Sequence, residues 1–216
     1  ARHVNFAFSE EQEQLREFVR QFLDNYSAEA TVRELMETEE GYDSDTWAMM
    51  AEQLGLQGLI IPQEHGGDGA GYVELVVVME EMGRALLCAP FFSTVVLAAN
   101  TLIHSGDEAA AAEILPGIAS GETIATLAFT EENGRWDEEG ITMEATADGD
   151  SWNLSGTKMY VLDGNTANVV LVAARTSKGV SLFKVDGDSS GLTRTALATM
   201  DLTRKQSRLD FDNVSA

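Results

Sequence analysis

The residues able to do chemistry fall in a few short stretches. The run LAFTEENGRWD, Leu127–Asp137, opens as an apolar strand, stops at Thr-Glu-Glu and turns through Asn-Gly into Arg-Trp. A strand ending in a hydroxyl and free backbone groups is how a loop begins to cradle a cofactor. Two of the largest side chains available then stand where close backbone approach would call for small ones. The glycines of HGGDGAG, His65–Gly71, invite a phosphate-loop reading. Their spacing is neither the dinucleotide GxGxxG nor a Walker loop, and no Lys-Ser/Thr follows, so a tight turn feeding a helix is expected there. His3, His65 and His104 lie far apart with no carboxylate spacing that suggests a metal. There is no GxSxG and no Ser/His/Asp order. Cys88 is the only cysteine, set among Leu86, Leu87 and Pro90 as a buried residue would be; it permits no internal disulfide.

The elements that must carry these residues come from 216 residues, enough for one large domain or two small ones. No apolar run approaches the roughly 20 residues that span a bilayer, and the opening ARHVNFAF lacks a signal-peptide core. Ala1-Arg2-His3 reads as the remnant of an expression tag, and a soluble cytoplasmic protein without membrane attachment is expected. The net charge of −22 argues against nucleic acid as a partner. The charge is uneven. From Lys158 onward there are eight Lys/Arg against six Asp/Glu, and before it six against thirty. The excess is ordinary solubility for the acidic part, or else a sign that a polyanionic ligand meets the final third.

The first half reads as helices. Leu15, Phe18, Val19, Phe22, Leu23 and Tyr26 form one helical stripe, and Ser9 with Gln12 predicts a capping box. Further helices are expected over about Thr46–Leu54, Tyr72–Leu87, Ser93–His104 and Asp107–Leu115, the last ending before Pro116-Gly117. GLQGLIIPQEHGGDGAG is expected to be extended. After Gly121 the pattern changes to β-branched runs: TIATLAFT, ITMEATA, WNLSGTKMYVL, NVVLVAART, GVSLFKVD and GLTRTAL, separated by Gly/Asp/Asn/Ser turns. The expected fold is α+β: an all-helical domain over 1–120, then an antiparallel β-barrel or sandwich domain over 121–216. Pattern alone supplies no self-contained catalytic constellation.

A colinear set of phrases adds to this. Ser9–Leu23, IPQEHGG (Ile61–Gly67), MEEMGRAL (Met79–Leu86), LPGIASGE (Leu115–Glu122), LAFTE (Leu127–Glu131), SGTKMYVLDG (Ser155–Gly164) and the closing FDNV together resemble the acyl-CoA dehydrogenase family over essentially the whole chain. The resemblance implies the family's N-terminal helical and middle β domains, the latter incomplete at its C-terminal end. The family's third domain, a C-terminal helical bundle, has no counterpart in this sequence. It also implies FAD as cofactor, an acyl-CoA thioester as substrate and an electron-transfer flavoprotein as acceptor. In the family's reaction a glutamate takes the α-proton while hydride leaves the β-carbon for the flavin. That glutamate belongs to the third domain, and no Asp or Glu here matches it, so no catalytic residue is assigned.

By the same resemblance, Leu127 and Phe129 offer backbone groups and Thr130 its hydroxyl to the flavin ring. Arg135 and Trp136 replace the Gly and Ser that face the pyrophosphate in relatives, although an Arg can pair with a phosphate. Lys-Met-Trp-Ile-Thr of the family reads Lys158-Met159-Tyr160-Val161-Leu162. Tyr160 can still stack on a ring face, whereas Leu162 cannot donate the hydroxyl hydrogen bond of its Thr counterpart. The alternative is that Tyr160 and Leu162 are core residues of the β half. Arg175, Arg194, Arg204, Lys205 and Arg208 are the candidate partners of a CoA or FAD phosphate. The departures, and the phrase MDLTRKQSRLDFDNV, are similar to a divergent branch that includes actinobacterial dehydrogenases built from two different subunits and acting on bulky or steroid-side-chain CoA esters. Three readings stay open: a homo-oligomeric flavoenzyme, a subunit of a heteromeric dimer or α2β2 tetramer, and a non-catalytic partner with the family fold that no longer binds its own FAD.

Overall fold

The computed structural model describes residues 7–216; His3 and the Ala-Arg-His start lie outside them. Helix α1 (Glu10–Tyr26) opens on the predicted capping box. Ser9 Oγ accepts from the Gln12 N–H at 3.2 Å, and the Gln12 side chain accepts from the Ser9 N–H at 2.9 Å. Val19, Phe22 and Leu23 are buried, but Phe18 and Tyr26 of the same stripe are exposed. Helix α2 (Glu29–Leu35) is not predicted, because Val32 is its single buried residue and so leaves no apolar period. Helix α3 (Ser44–Glu52) starts two residues earlier than the pattern suggests, where Asp43 accepts from the Thr46 N–H at 2.7 Å.

The stretch expected to be extended is instead two 3-10 turns, Leu56–Gly58 and Gln63–His65. The N–H groups of Gly58, Leu59 and Ile61 bond to carbonyls three residues back, and the carbonyls of the same three residues accept from the N–H groups of Asp68, Ala70 and Gly69. Turns and the glycine loop thus satisfy this buried segment without a strand partner. Gly67 is obligatory, since a Cβ there would collide with the carbonyls of Ile61 and Gly58. The glycine cluster then feeds helix α4 (Tyr72–Arg84), where Glu74 caps the Gly71 N–H at 2.9 Å. A wide-turned π-helix, Phe92–Ala99, runs into α5 (Asn100–His104). Helix α6 (Glu108–Ala119) passes through Pro116 rather than stopping before it. Leu115 and Ile118 are fully buried and hold the last turn, while Pro116 sits on the exposed side, where water can reach the carbonyl it leaves unpaired.

Strands β1 (Ala125–Ala128), β2 (Glu144–Asp148), β3 (Ser151–Leu162), β4 (Val169–Thr176), β5 (Gly179–Asp186) and β6 (Leu192–Ala196) fall on the six β-branched runs. Strand β7 (Gln206–Ser215) lies outside those runs; its Ser207, Leu209 and Phe211 alternate inward between charged residues. The sheet order is β1-β4-β2-β3-β7-β6, with β5 on β4. Most pairings are antiparallel, but β1 and β2 run parallel to β4, so the sheet is mixed. It also curls. The Thr126 hydroxyl donates to the Leu162 carbonyl at 2.6 Å, and the Met159 N–H to the Thr130 carbonyl at 2.8 Å, which brings the first strand against the third. Thr94 of the π-helix bonds both the carbonyl and the N–H of Ala125, at 3.1 and 3.2 Å, and so fastens helices to sheet. Among the described residues no helix is long and apolar enough to cross a membrane.

Candidate functional site

The site is built where the end of β1 meets a bulge in β3. Opposite β7 the register of β3 slips between Lys158 and Val161, so two residues bulge from the ladder. Tyr160 in that bulge has φ +56°, costly for a bulky side chain, and its ring projects with 56% exposure. Tyr160 is therefore not a core residue, whereas Leu162 is half-buried. The geometry brings Leu127, Phe129, Thr130, Trp136, Tyr160 and Leu162 around one cavity of about 490 Å³, completed by Phe92, Leu97 and Gln206. The last three were missed. Phe92 and Leu97 stand five residues apart, a spacing that faces one way on the wide turn of a π-helix but not on an α-helix.

The lining is apolar except for the Thr130 and Tyr160 hydroxyls and the Gln206 amide, and no acidic side chain contributes to it. Trp136 is 82% exposed and meets Phe129 edge-on, with ring centroids 6.4 Å apart. The Thr130 hydroxyl has no hydrogen-bond partner among the described residues, while its carbonyl is taken by Met159. It is a donor left over beside an apolar slot. A larger groove of about 630 Å³, lined by Glu131, Glu132, Glu144, Asn153 and Asn213, is polar and acidic and contains none of the predicted residues.

Of the residues predicted to contact the flavin, Arg135 alone does not line the cavity. Its guanidinium bonds Asp137 at 2.8 Å and Glu139 at 2.7 Å, and these partners raise its pKa, Asp137 most. The rest of the loop is closed in the same inward way. Asn133 donates to the Gly140 carbonyl at 2.7 Å, and Asp137 accepts from the Gly140 N–H at 2.9 Å. A buried ion pair missed in the sequence anchors the loop's base: Lys158 Nζ lies 2.9 Å from Glu131, and the two side chains are 0% and 7% exposed. Glu131 also accepts from the Thr142 N–H (2.9 Å), the Thr142 hydroxyl (2.5 Å) and the Met143 N–H (2.8 Å). Burial alone would raise its pKa, but these donors and Lys158 bring it below the ordinary carboxylate range. Burial lowers the Lys158 pKa against the pull of Glu131.

Four of the five candidate phosphate partners are spent on structure. Arg175 donates to the carbonyls of Ile141 (3.0 Å) and Glu138 (2.8 Å), and Arg194 to those of Gly164, Asn165, Ala167 and Gly187. Lys205 reaches the Met36 carbonyl at 2.7 Å, and Arg208 pairs with Asp210 and Glu132. Arg204 makes one long bond, 3.3 Å, to the Leu87 carbonyl. His104 bonds the Tyr72 hydroxyl at 2.7 Å, Cys88 is buried, and the described residues contain no group of three metal-ligating side chains.

Beside the cavity, burial pushes the Asp163 carboxyl up to about 6, against the hydrogen bond from Ser93 and the charge of Arg204. A raised folded-state pKa means a contribution that is whole below about pH 4 and lost as pH rises through 6. Asp163→Asn should therefore flatten the stability profile in that window, by up to about 3 kcal/mol. Urea unfolding of both proteins at pH 4.5 and pH 7.5 checks this; parallel profiles would remove Asp163 as the cause.

The model of the acyl-CoA dehydrogenase N-terminal domain matches residues 9–122, and that of the middle domain residues 126–214. Among solved structures, the ChsE4–ChsE5 complex from Mycobacterium tuberculosis is similar at TM-score 0.88 and 29% identity, over 99% of this chain and 57% of that one. The Tcur3481–Tcur3483 steroid ACAD G363A variant is similar at 0.85 and 32%, over 96% and 56%. A glutaryl-CoA dehydrogenase from Mycobacterium smegmatis in complex with FADH2 is similar at 0.83 and 26%, over 96% and 54%. The chain spans about half the length of the curated relatives it matches.

Proposed function

Because the chain belongs to the acyl-CoA dehydrogenase family, we propose that its cavity holds the flavin ring of FAD for α,β-dehydrogenation of an acyl-CoA thioester, completed by polypeptide outside these residues. The observation that carries this is the convergence of the β1 loop and the β3 bulge on one apolar slot beside a free hydroxyl. Phe129, Tyr160 and Trp136 would wall a tricyclic ring and exclude water from it. Thr130 would hydrogen-bond the ring edge, and Leu127 would pack beside it. The flavin supplies a hydride acceptor when bound. The base that takes the α-proton must be a carboxylate within hydrogen-bond reach of the substrate, and no described acid lines the cavity. It therefore comes from a further segment or another chain. Residues 1–120 and 121–216 are proposed as the two domains that carry these parts.

The phosphate-facing loop fits the dinucleotide poorly. Arg135 is neutralised by Asp137 and Glu139, and Trp136 stands where small residues would let a diphosphate approach. This favours a subunit of a heteromeric dimer or α2β2 tetramer, in which a partner supplies the diphosphate contacts and the base. Similarity to the ChsE4–ChsE5 complex and to a steroid ACAD supports that reading and bulky CoA esters as substrates. An electron-transfer flavoprotein is the proposed acceptor and the cytoplasm the proposed location. Flavin absorbance of the full-length protein, alone and co-expressed with its genomic neighbour, tests this. About one FAD per chain alone indicates a homo-oligomeric enzyme. Half that amount, only with a partner, indicates the heteromer. None in either case indicates a scaffold and overturns the flavin reading. Thr130→Val should weaken flavin retention about fivefold, the worth of one hydrogen bond. Unchanged retention on dilution would remove Thr130 from the site.

A further inference from the structure

One hydrogen bond sits where three walls of this cavity meet: the π-helix, the end of β3 and the start of β7. Ser93, fully buried in the π-helix, donates its hydroxyl to Asp163 Oδ2 at 2.6 Å. Asp163 follows β3 directly, in the left-handed region at φ +51°. Its N–H donates to the Lys205 carbonyl at 3.0 Å, and its own carbonyl accepts from the N–H groups of Thr166 and Ala167. Each partner is one residue away from a lining residue: Ser93 from Phe92, Asp163 from Leu162 and Lys205 from Gln206. We propose that the Ser93–Asp163 hydrogen bond is a positioning contact that fixes the width of the cavity, by tying the helical wall carrying Phe92 to the sheet walls carrying Leu162 and Gln206.

The geometry favours this over a merely structural role. A side chain pinned one residue from a cavity wall transmits its displacement directly, because a peptide unit is rigid. The strained backbone at Asp163 persists only where its surroundings over-determine it, and here three separate segments do so. The contact also joins the two halves of the chain, so that the helices cannot shift on the sheet without breaking it. The proposal rests on the flavin reading only in so far as FAD is used as a probe.

The test compares wild type, Ser93→Ala, Asp163→Ala, the double variant and Asp163→Asn, in the full-length chain with any partner that co-purifies. Two probes are titrated, FAD and the apolar dye 8-anilinonaphthalene-1-sulfonate, and melting temperatures are recorded alongside. Trp136→Phe, which should remove the largest part of the energy transfer to the dye while Trp47 and Trp152 remain as weaker, more distant donors, places the dye beside the cavity. Ser93→Ala should weaken uptake about tenfold, and Asp163→Ala at least as much, because alanine also strains the left-handed backbone. The double variant should weaken it no further than Asp163→Ala, because both substitutions remove the same contact. Asp163→Asn keeps an acceptor for Ser93 and tolerates the left-handed backbone, so it should stay near wild type. If FAD is ignored by every form but the dye follows this pattern, the pin stands and the flavin reading falls. Lower melting temperatures with unchanged affinity for both probes would overturn the pin, as would a wild type that takes up neither.

Discussion

Lys158→Met should destabilise the protein by about 3–5 kcal/mol, because it leaves the Glu131 carboxylate buried with its counter-charge gone. The side chains are almost wholly inaccessible, so water cannot solvate what the substitution exposes. The remaining donors from Thr142 and Met143 hold the carboxylate in place and set the loss toward the lower end of that range. Replacing both members by apolar residues should not restore stability. It would orphan the Thr142 and Met143 amides, each costing about 1–3 kcal/mol. Urea unfolding of the two variants is the measurement. A loss under about 1 kcal/mol for Lys158→Met would mean that the pair behaves as an exposed one and does not anchor the loop. The consequence for the site is direct: Glu131 follows Thr130 in the chain, and Lys158 lies two residues before Tyr160. The ion pair fixes the two cavity-lining segments to one another.

The second large effect lies in the helical half. Glu81 on α4 is 1% exposed and accepts from Arg20 at 2.7 Å, Arg84 at 2.8 Å and Arg16 at 3.4 Å. Arg20 first, against the opposing effect of burial, and then Arg84 bring its carboxyl down to about 2. A depressed folded-state pKa contributes stability that is present above about pH 4.5 and lost as pH falls through 2. The shift corresponds to about 3 kcal/mol at most, reduced because Arg20 and Arg84 are partly exposed and screened by solvent. Glu81→Gln should cost about 2 kcal/mol at neutral pH and flatten the acid limb of the stability profile. Thermal unfolding between pH 2 and pH 7 decides the matter, and an unchanged acid limb would assign acid sensitivity to other carboxylates.

How much of this was legible depended on the kind of signal. The Ser9 capping box, the six β-branched runs and their turns could be read because local periodicity and turn chemistry are properties of neighbouring residues. Helix α2 could not, since a single buried Val32 makes no period. Strand β7 carries an alternation, Ser207, Leu209 and Phe211 inward, but it opens on a serine and has only two large apolar residues in it, too few to mark a period against the charges between them. The Leu56–Ile61 segment reads as extended but is not, because a short apolar run has the same composition whether it pairs in a sheet or folds into 3-10 turns. Only its burial among helices decides.

The site divides the same way. Family-like phrases pointed to Leu127, Phe129, Thr130, Trp136, Tyr160 and Leu162, which the fold gathers around one cavity. No sequence pattern showed that Phe92, Leu97 and Gln206 join them, because that depends on a wide-turned helix lying against β1 and on the curl of the sheet. Nor could it show that Arg135 would spend its charge on Asp137 and Glu139 rather than face a ligand. By itself the sequence determined the family, the split into a helical half and a β half with most of their elements in order, and which loops would be chemically interesting. Tertiary structure alone decided which side chains meet, and which charges are free or already paired. Those depend on distances between residues far apart in the chain, and only the packed fold sets them.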